Sequence, residues 1–157
     1  MSYTQAPPLT DKEIDDFLKK APTARICSIN EDGTIHAVPV WFKYEDKQFI
    51  IWTPEKSRKI RNIVRNNNVT LSIDEGSPST KGVIVYGKAE VDYREWNTEA
   101  INKLEKYMSR EEAEKSWQIM NEWTKWVKIT VNPERMASFD YDKDDKWQEL
   151  LTKMGWK

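Results

Sequence analysis

Short strand-like segments follow one another between residues 25 and 91, and tight turns join the first three of them; this succession is the feature that most restricts the fold. These segments are rich in β-branched and aromatic residues, and the Asp32-Gly33 pair between the first two is typical of a hairpin turn. Strands joined by such turns pair antiparallel. We therefore predict an α+β fold that is mainly β, with a small antiparallel barrel or sheet wrapped by helices.

Seven strands are predicted in all, and two of them follow residue 125. The predicted strands are 25–29, 35–44, 49–53, 69–73, 82–91, 126–131 and 136–141. Because proline has no N–H group for the sheet ladder, Pro39 indicates an edge strand or a bulge. Residues 132–134 (Asn-Pro-Glu) are predicted to turn the chain between the last two strands.

Capping signals mark the predicted helices. Thr10 and Glu13 form a capping box at the start of the first helix, and Ser109 and Glu112 repeat the pattern within 94–122. Ser57 is a favourable N-cap for the second helix. Residues 94–122 are predicted to be helical in two pieces, and residues 143–154 to form the last helix. The last helix is predicted to have one apolar stripe, formed by Trp147, Leu150, Leu151 and Met154.

Composition restricts the class of protein. The 157 residues fit a single domain over residues 1–157, and 25 basic against 26 acidic residues argue against a general nucleic-acid or membrane-surface binder. With one cysteine and one histidine, an internal disulfide and a two-histidine metal site are excluded, and we predict no metal. Cys27 is predicted to be a small core residue, and His36 a structural or surface residue rather than a catalytic base. The chain has no long apolar run and no signal-like start, so we expect a cytoplasmic protein without a membrane span.

The strongest local signal for a binding site runs from Thr53 to Lys59, which reads Thr-Pro-Glu-Lys-Ser-Arg-Lys. A buried strand ends there and a helix begins, so free N–H groups and the positive end of the helix dipole face outward. Arg58 and Lys59 add two cations that suit a phosphate. From the residues alone, a solvated basic turn is the other interpretation, and it is slightly favoured over a phosphate site.

Several motifs, in this order, resemble the pyridoxamine 5′-phosphate oxidase-like family of flavin-binding split-barrel proteins. The Thr-x-x-x-Ser-Arg-Lys passage is preceded by Val-Pro-Val-Trp-Phe-Lys at 38–43, and Asn-Asn-Asn-Val-Thr-Leu at 66–71 is similar to the family's Asn-Pro-x-Val-Ser-Leu. Residues 82–91 are similar to its Val-x-Val-x-Gly-x-Ala-x-Val strand. Residues 23–92 give the best match, and residues 93–157 would supply helices, the final strands and the C-terminal helix.

The resemblance implies a six-stranded antiparallel split barrel that forms a homodimer, with FMN bound at the interface. Carried over by position, Arg58 and Lys59 would hold the FMN phosphate, with Ser57 at the helix start. The other implied contacts are with the flavin ring and its ribityl chain, and they come from Pro39, Val40, Trp41, Trp52 and Thr53. The protein is expected to position the cofactor, which carries the redox chemistry itself.

Departures from the family pattern argue against pyridoxine phosphate oxidation. Val38 stands where true pyridoxamine phosphate oxidases have arginine, and Gly82 where they have glutamine. Their C-terminal Arg-x-His motif has no counterpart, since His36 is the only histidine. Some relatives use the deazaflavin F420, which is the alternative cofactor.

The sequence thus predicts an FMN-dependent oxidoreductase that acts on a small molecule with an electron donor such as NAD(P)H, with no catalytic residue assigned. A non-catalytic flavin-, F420- or haem-binding protein of the same fold is one alternative. A nucleic-acid-binding module is a further one, because basic residues crowd positions 56–65 and tryptophans could stack on bases.

Overall fold

The computed structural model describes residues 6–77 and 80–156. Within them the chain forms seven strands: β1 Thr23–Ile29, β2 Ile35–Trp41, β3 Lys43–Glu45, β4 Gln48–Pro54, β5 Asn68–Glu75, β6 Lys81–Asp92 and β7 Trp126–Asp140. The helices are α1 Asp11–Lys20, α2 Arg58–Arg65, α3 Asn97–Leu104, α4 Arg110–Trp123 and α5 Asp145–Lys153, and the 3₁₀ turn Tyr141–Lys143 precedes α5. No helix among these residues is long and apolar enough to cross a membrane.

All seven strands belong to one sheet in the order β2-β1-β5-β6-β7-β4-β3, and every neighbouring pair is antiparallel. The sheet curls until β2 approaches β4 without pairing to it, which leaves the barrel split at that point. The predicted antiparallel α+β split barrel is therefore confirmed, with seven strands rather than six. Pro39 lies on β2, which is an edge strand paired only with β1. The other edge of β2 is unpaired, so no N–H group from Pro39 is required there.

The resemblance implies six strands, and the structure has a seventh because the predicted strand 35–44 divides at Phe42. The Phe42 backbone N–H donates to Tyr107 Oη at 3.1 Å, and its carbonyl accepts from Lys106 Nζ at 3.1 Å. The segment that follows α3 therefore binds the Phe42 backbone groups that a neighbouring strand would otherwise pair. Beyond this point the chain pairs with β4 as β3 instead of continuing along β1.

The predicted turn at residues 132–134 is wrong, because β7 continues through it. Residues 128–140 of β7 pair with the whole of β6, and β7 absorbs one extra residue where Gly87 faces Pro133 and Tyr86 faces Arg135. A Cβ atom on Gly87 would lie 2.4 Å from the Asn132 carbonyl oxygen, so the close approach of the two strands requires glycine. The bulge accommodates the Asn-Pro-Glu segment that looks like a turn in the sequence.

Apolar side chains fill the barrel, and a second cluster lies outside it. The fully buried interior includes Ile26, Phe49, Ile51, Leu71, Val83, Val85, Val127 and Ile129. On the outer face of β4, Trp52 packs against α3 and α4 through Ala100, Leu104, Ala113 and Trp117. Ile60 and Ile63 fix α2 against the barrel, which determines where the start of α2 lies.

The predictions for the helices are mostly confirmed. Thr10 and Ser109 form the capping boxes of α1 and α4, and Ser57 is the N-cap of α2. The stripe on the last helix is only partly formed, since Leu151 is buried whereas Leu150 and Met154 are exposed. Cys27 is not a core residue. It is half-buried on the outward face of β1, because strand alternation directs Ala24, Ile26 and Ser28 inward.

Candidate functional site

The turn between β4 and α2 leaves the helix start without a side-chain cap. The Ser57 N–H donates to the Pro54 carbonyl at 3.0 Å, and the Glu55 N–H donates to the Lys125 carbonyl at 3.0 Å, which ties the turn to the start of β7. Ser57 has extended N-cap geometry, yet its side chain makes no capping hydrogen bond. Its Oγ lies 3.5 Å from Thr53 Oγ1 instead. The first turn of α2 has no acidic residue either, so it can accept an external anion.

Lys59 supplies a half-buried cation at this place. Its Nζ donates to Thr53 Oγ1 at 2.8 Å, and Thr53 is 2% exposed, so the hydroxyl is held in position by the end of β4. Burial lowers the pKa of Lys59. Within the described residues no carboxylate pairs with it. A half-buried ammonium without a counter-ion is stabilised by a bound anion.

Arg58 extends the positive field to β2 and to the turn between β1 and β2. Burial and the charges of Arg58 and Lys59 lower the pKa of His36, so the imidazole is neutral near pH 7. Hydrogen bonds from Thr34, together with the charge of Arg58, lower the pKa of Asp32. Arg58 is exposed, and its side chain makes no ion pair in the part of the chain that the structure describes.

A groove of about 620 Å³ continues from Arg58 along the exposed face of α2. Its other wall is the turn that joins β1 to β2. All of the lining residues are polar: Asn30, Glu31, Asp32, Thr34, Arg58, Arg61, Asn62 and Arg65. We call this surface the α2 groove. Its volume lies within the range of small-molecule sites, which is about 300–1,000 Å³.

The structure brings four of the eight predicted site residues together at the start of α2, namely Thr53, Ser57, Arg58 and Lys59. Pro39, Val40 and Trp41 lie across the split on β2. Val40 is half-buried against the core, whereas Pro39 is exposed. Trp41 is 43% exposed and stacks on Tyr107, with ring centroids 4.5 Å apart and planes 13° apart.

Trp52 does not join this group. Neighbouring residues of a strand point to opposite faces, so Thr53 faces the same side as Ile51, and Trp52 faces α3 and α4. Trp52 is 6% exposed. The run from Phe49 to Trp52 is apolar throughout because both faces of β4 are covered, which hides the alternation in the sequence.

No sequence pattern singles out Lys103 or Asn62, yet both are buried polar residues in the structure. The Lys103 ammonium lies 5.5 Å from the centroid of the Trp52 ring, and the residue is 5% exposed. Burial, with a contribution from the charge of Lys106, lowers its pKa to about 8. Asn62 is buried, and its Nδ2 donates to Ser28 Oγ at 3.1 Å and to Asn30 Oδ1 at 3.0 Å. Both residues lie in charged or polar stretches that read as solvated surface.

The curled antiparallel sheet and the uncapped, basic helix start beside it define a split-barrel protein with a candidate anion site. Residues 10–137 match the pyridoxamine 5′-phosphate oxidase family, and the chain belongs to that family. This confirms the resemblance. No curated protein matches the chain at a significant level.

Solved structures agree with this fold. The conserved hypothetical protein Rv2991 from Mycobacterium tuberculosis is 25% identical with a TM-score of 0.74, and the match covers 89% of this chain and 92% of that one. An FAD-binding protein from Mesorhizobium loti is 20% identical with a TM-score of 0.61, covering 84% and 95%. A structure described as an F420 reductase is 19% identical with a TM-score of 0.61, covering 78% and 94%.

Proposed function

We propose that the protein is an FMN-dependent oxidoreductase that binds the cofactor phosphate at the start of α2. The observation that carries the proposal is the Lys59 ammonium, which has the Thr53 hydroxyl as its hydrogen-bond partner and no counter-ion among the described residues. A phosphate there would accept from Lys59, Arg58 and the uncapped N–H groups that follow Ser57. It would replace water around a cation that is already partly desolvated.

The flavin ring would lie along the split between β2 and β4. β2 pairs only with β1 among the described strands, so its other edge has backbone groups available for ring heteroatoms. Val40 would offer an apolar contact from inside the split, with Pro39 and Trp41 at its outer side. We assign Trp52 a supporting role, because its ring packs behind β4 and holds the strand that presents Thr53.

Bound FMN would supply the hydride and electron transfer, and the chain would bind, orient and shield it. A second copy of the chain would complete the site, since the outward face of β2 exposes Ile35 and Trp41. We propose a small-molecule substrate and an electron donor such as NAD(P)H in the cytoplasm. The neutral His36 at this end of the barrel is available to accept a hydrogen bond from a ligand.

The test is FMN retention, measured as a visible absorption spectrum after addition of FMN and desalting. The wild-type protein should keep a flavin spectrum that is shifted from that of free FMN. Lys59→Met should weaken FMN binding roughly tenfold or more, because the charged hydrogen bond to phosphate is lost. Lys56→Met is the matched control. It removes an equal charge from the same turn at a side chain that is exposed and has no partner within the described residues.

The outcomes of the FMN-retention test distinguish the candidate functions. Equal affinity of the Lys59 and Lys56 variants would refute the phosphate site. Retained flavin without turnover of NAD(P)H and common acceptors would identify a binding protein. A protein that retains F420 but not FMN would be a deazaflavin protein, the cofactor class named for one of the similar structures.

A further inference from the structure

Two hydrogen-bond donors without partners lie close together between β4 and α3. The Lys103 ammonium lies 5.5 Å from the centroid of the Trp52 ring, and Lys103 is 5% exposed. Trp52 is 6% exposed, and its Nε1 atom is buried with no hydrogen-bond partner among the described residues. Because Nε1 belongs to the same ring, both donors lie within one small region behind β4. Folded proteins rarely leave buried polar groups unpaired, so these two donors indicate a missing acceptor.

No acidic side chain compensates the charge of Lys103. Glu99 lies one turn earlier on α3, at the spacing that favours a Glu–Lys pair, yet it is exposed and no ion pair joins the two. Lys103 has neither an ion pair nor a hydrogen bond in the part of the chain that the structure describes. Its neighbours are apolar instead, since Trp52 packs here with Ala100 and Leu104. A desolvated amine without a counter-ion favours its neutral form.

A second lysine adds to this effect. Burial and then the charge of Lys106 lower the pKa of Lys103 to about 8. An amine that is desolvated beside another cation is an activated nucleophile. Burial lowers the pKa of Lys106 to about 8 as well, but the Lys106 Nζ donates to the carbonyls of Ala21 and Phe42 and is held by them. Lys103 has no such partners among the described residues, so its amine is the one available to react.

The electrophile has to be small, and its product has to be anionic. With Lys103 only 5% exposed, a bulky carbonyl compound could not reach the amine. A protonated Schiff base would also keep the positive charge and leave Trp52 Nε1 without an acceptor. CO₂ is a small uncharged molecule, and its adduct with an amine is a carbamate, which has a negative charge and two acceptor oxygens. A carbamate would accept from the indole N–H and balance the charge of Lys106.

We propose that Lys103 is a modification site that takes up CO₂ as a carbamate, held by Trp52 Nε1 and by the charge of Lys106. The lone pair of the neutral Nζ attacks the carbon of CO₂ and forms an N–C bond. One C–O π bond breaks, its electron pair passes to the oxygen, and one N–H proton passes to water, so nothing is oxidised or reduced. The site is separate from the phosphate site, because Trp52 and Thr53 face opposite sides of β4.

The test is ¹³C NMR of the purified full-length protein in buffer that contains ¹³C-labelled bicarbonate and dissolved CO₂. Alkylation then converts carbamates into stable esters, and peptide mass spectrometry assigns them to residues. The Lys103 peptide should carry at least about tenfold more ester than the peptide with Lys115, an exposed lysine of α4, because a larger fraction of the Lys103 amine is neutral. Lys103→Met should remove one carbamate resonance, and the matched control Lys115→Met should leave it unchanged.

A second variant tests the part assigned to the indole. Trp52→Phe should lower the fraction of Lys103 present as carbamate roughly fivefold, because the hydrogen bond from Nε1 is lost. Trp123→Phe, at a side chain that is 73% exposed, is the control and should leave this fraction unchanged. A thermal melt verifies that both variants fold.

Four results would overturn the inference. Absence of the ester from the Lys103 peptide would refute the carbamate, and an ester on Lys106 instead would refute the choice of nucleophile. Equal fractions of carbamate in Trp52→Phe and Trp123→Phe would remove the indole from the site. A melting temperature raised equally by bicarbonate and by formate, with no ester formed, would identify a reversible anion site in place of a covalent one.

Discussion

The ammonium of Lys59 lies 2.8 Å from the hydroxyl of Thr53, across the turn that joins β4 to α2. The contact links the last inward-facing residue of a core strand to the first turn of a helix. It holds a cation where the Ser57 side chain leaves the helix start uncapped. The geometry of the proposed phosphate site therefore depends on a hydroxyl that is 2% exposed.

Thr53→Val should weaken FMN binding and slightly destabilise the protein. The substitution keeps the side-chain shape but removes the acceptor of Lys59, so the free energy of unfolding should fall by about 1 kcal/mol. FMN titration and urea denaturation measure the two effects. Thr130→Val, on a half-buried residue of β7, is the control. Similar losses of FMN affinity in both variants would contradict a specific role for Thr53.

Tyr107→Phe should loosen the segment after α3 from the barrel. The Tyr107 hydroxyl lies 2.7 Å from the Pro22 carbonyl and accepts from the Phe42 N–H at 3.1 Å. Loss of the hydroxyl leaves the Phe42 N–H without this partner, so we expect a cost of about 2 kcal/mol. The phenylalanine ring can still stack on Trp41.

Amide hydrogen exchange at Phe42 provides the direct measurement for Tyr107→Phe. Exchange should become faster at this residue than in Tyr93→Phe, whose ring is exposed and whose hydroxyl has no hydrogen bond in the described structure. Unchanged protection of Phe42 would show that the division of β2 and β3 does not depend on Tyr107.

Gly87→Ala should destabilise the sheet at the bulge. The new Cβ would lie 2.4 Å from the Asn132 carbonyl oxygen. This oxygen belongs to the backbone, so it cannot move aside as a side chain does by changing rotamer. A cost of about 2 kcal/mol or more is expected from overpacking. Gly33→Ala is a useful comparison, since nothing lies within 4 Å of its Cβ and only its φ of +84° is unfavourable. Urea denaturation should rank Gly87→Ala as the more damaging change.

Stability should rise with pH in the alkaline range because of Lys103. Its pKa is about 8 in the folded protein against an ordinary 10.5, since burial and then the charge of Lys106 disfavour the ammonium. Between these pH values the unfolded chain holds a proton that the folded chain has released, so the free energy of unfolding increases with pH.

Lys103→Met should remove this contribution and raise stability near pH 7 by about 2 kcal/mol, because a desolvated charge is replaced by an apolar side chain. Urea denaturation at pH 7, 8.5 and 10 measures both effects. Lys106 also has a pKa lowered to about 8 by burial, so part of the slope should remain. Lys115→Met, at an exposed position of α4, should leave the pH profile unchanged. An unchanged profile in Lys103→Met would refute the assignment.

The parts of the fold that follow from local chemistry could be predicted. The capping boxes at Thr10 and Ser109 depend on residues three positions apart, and both occur in the structure. The predicted turn at 132–134 is wrong because its residues favour turns locally, whereas the pairing of β7 along all of β6 outweighs that preference. At the division between β2 and β3, the Phe42 N–H donates to Tyr107, which is 65 residues away.

The candidate site also has a part that local sequence predicts and a part that only the packing of the whole chain determines. The change from an apolar strand to a basic helix start at Thr53–Lys59 is local, so the sequence by itself determined where an anion could bind and which cations are available. Only the tertiary structure decided that Trp52 faces away from Thr53, that Asn62 joins α2 to β1, and that Lys103 is buried without a counter-ion. These relationships depend on which elements cover each face of a strand or helix. Burial and side-chain direction arise from packing between residues far apart in the chain, so no local pattern could specify them.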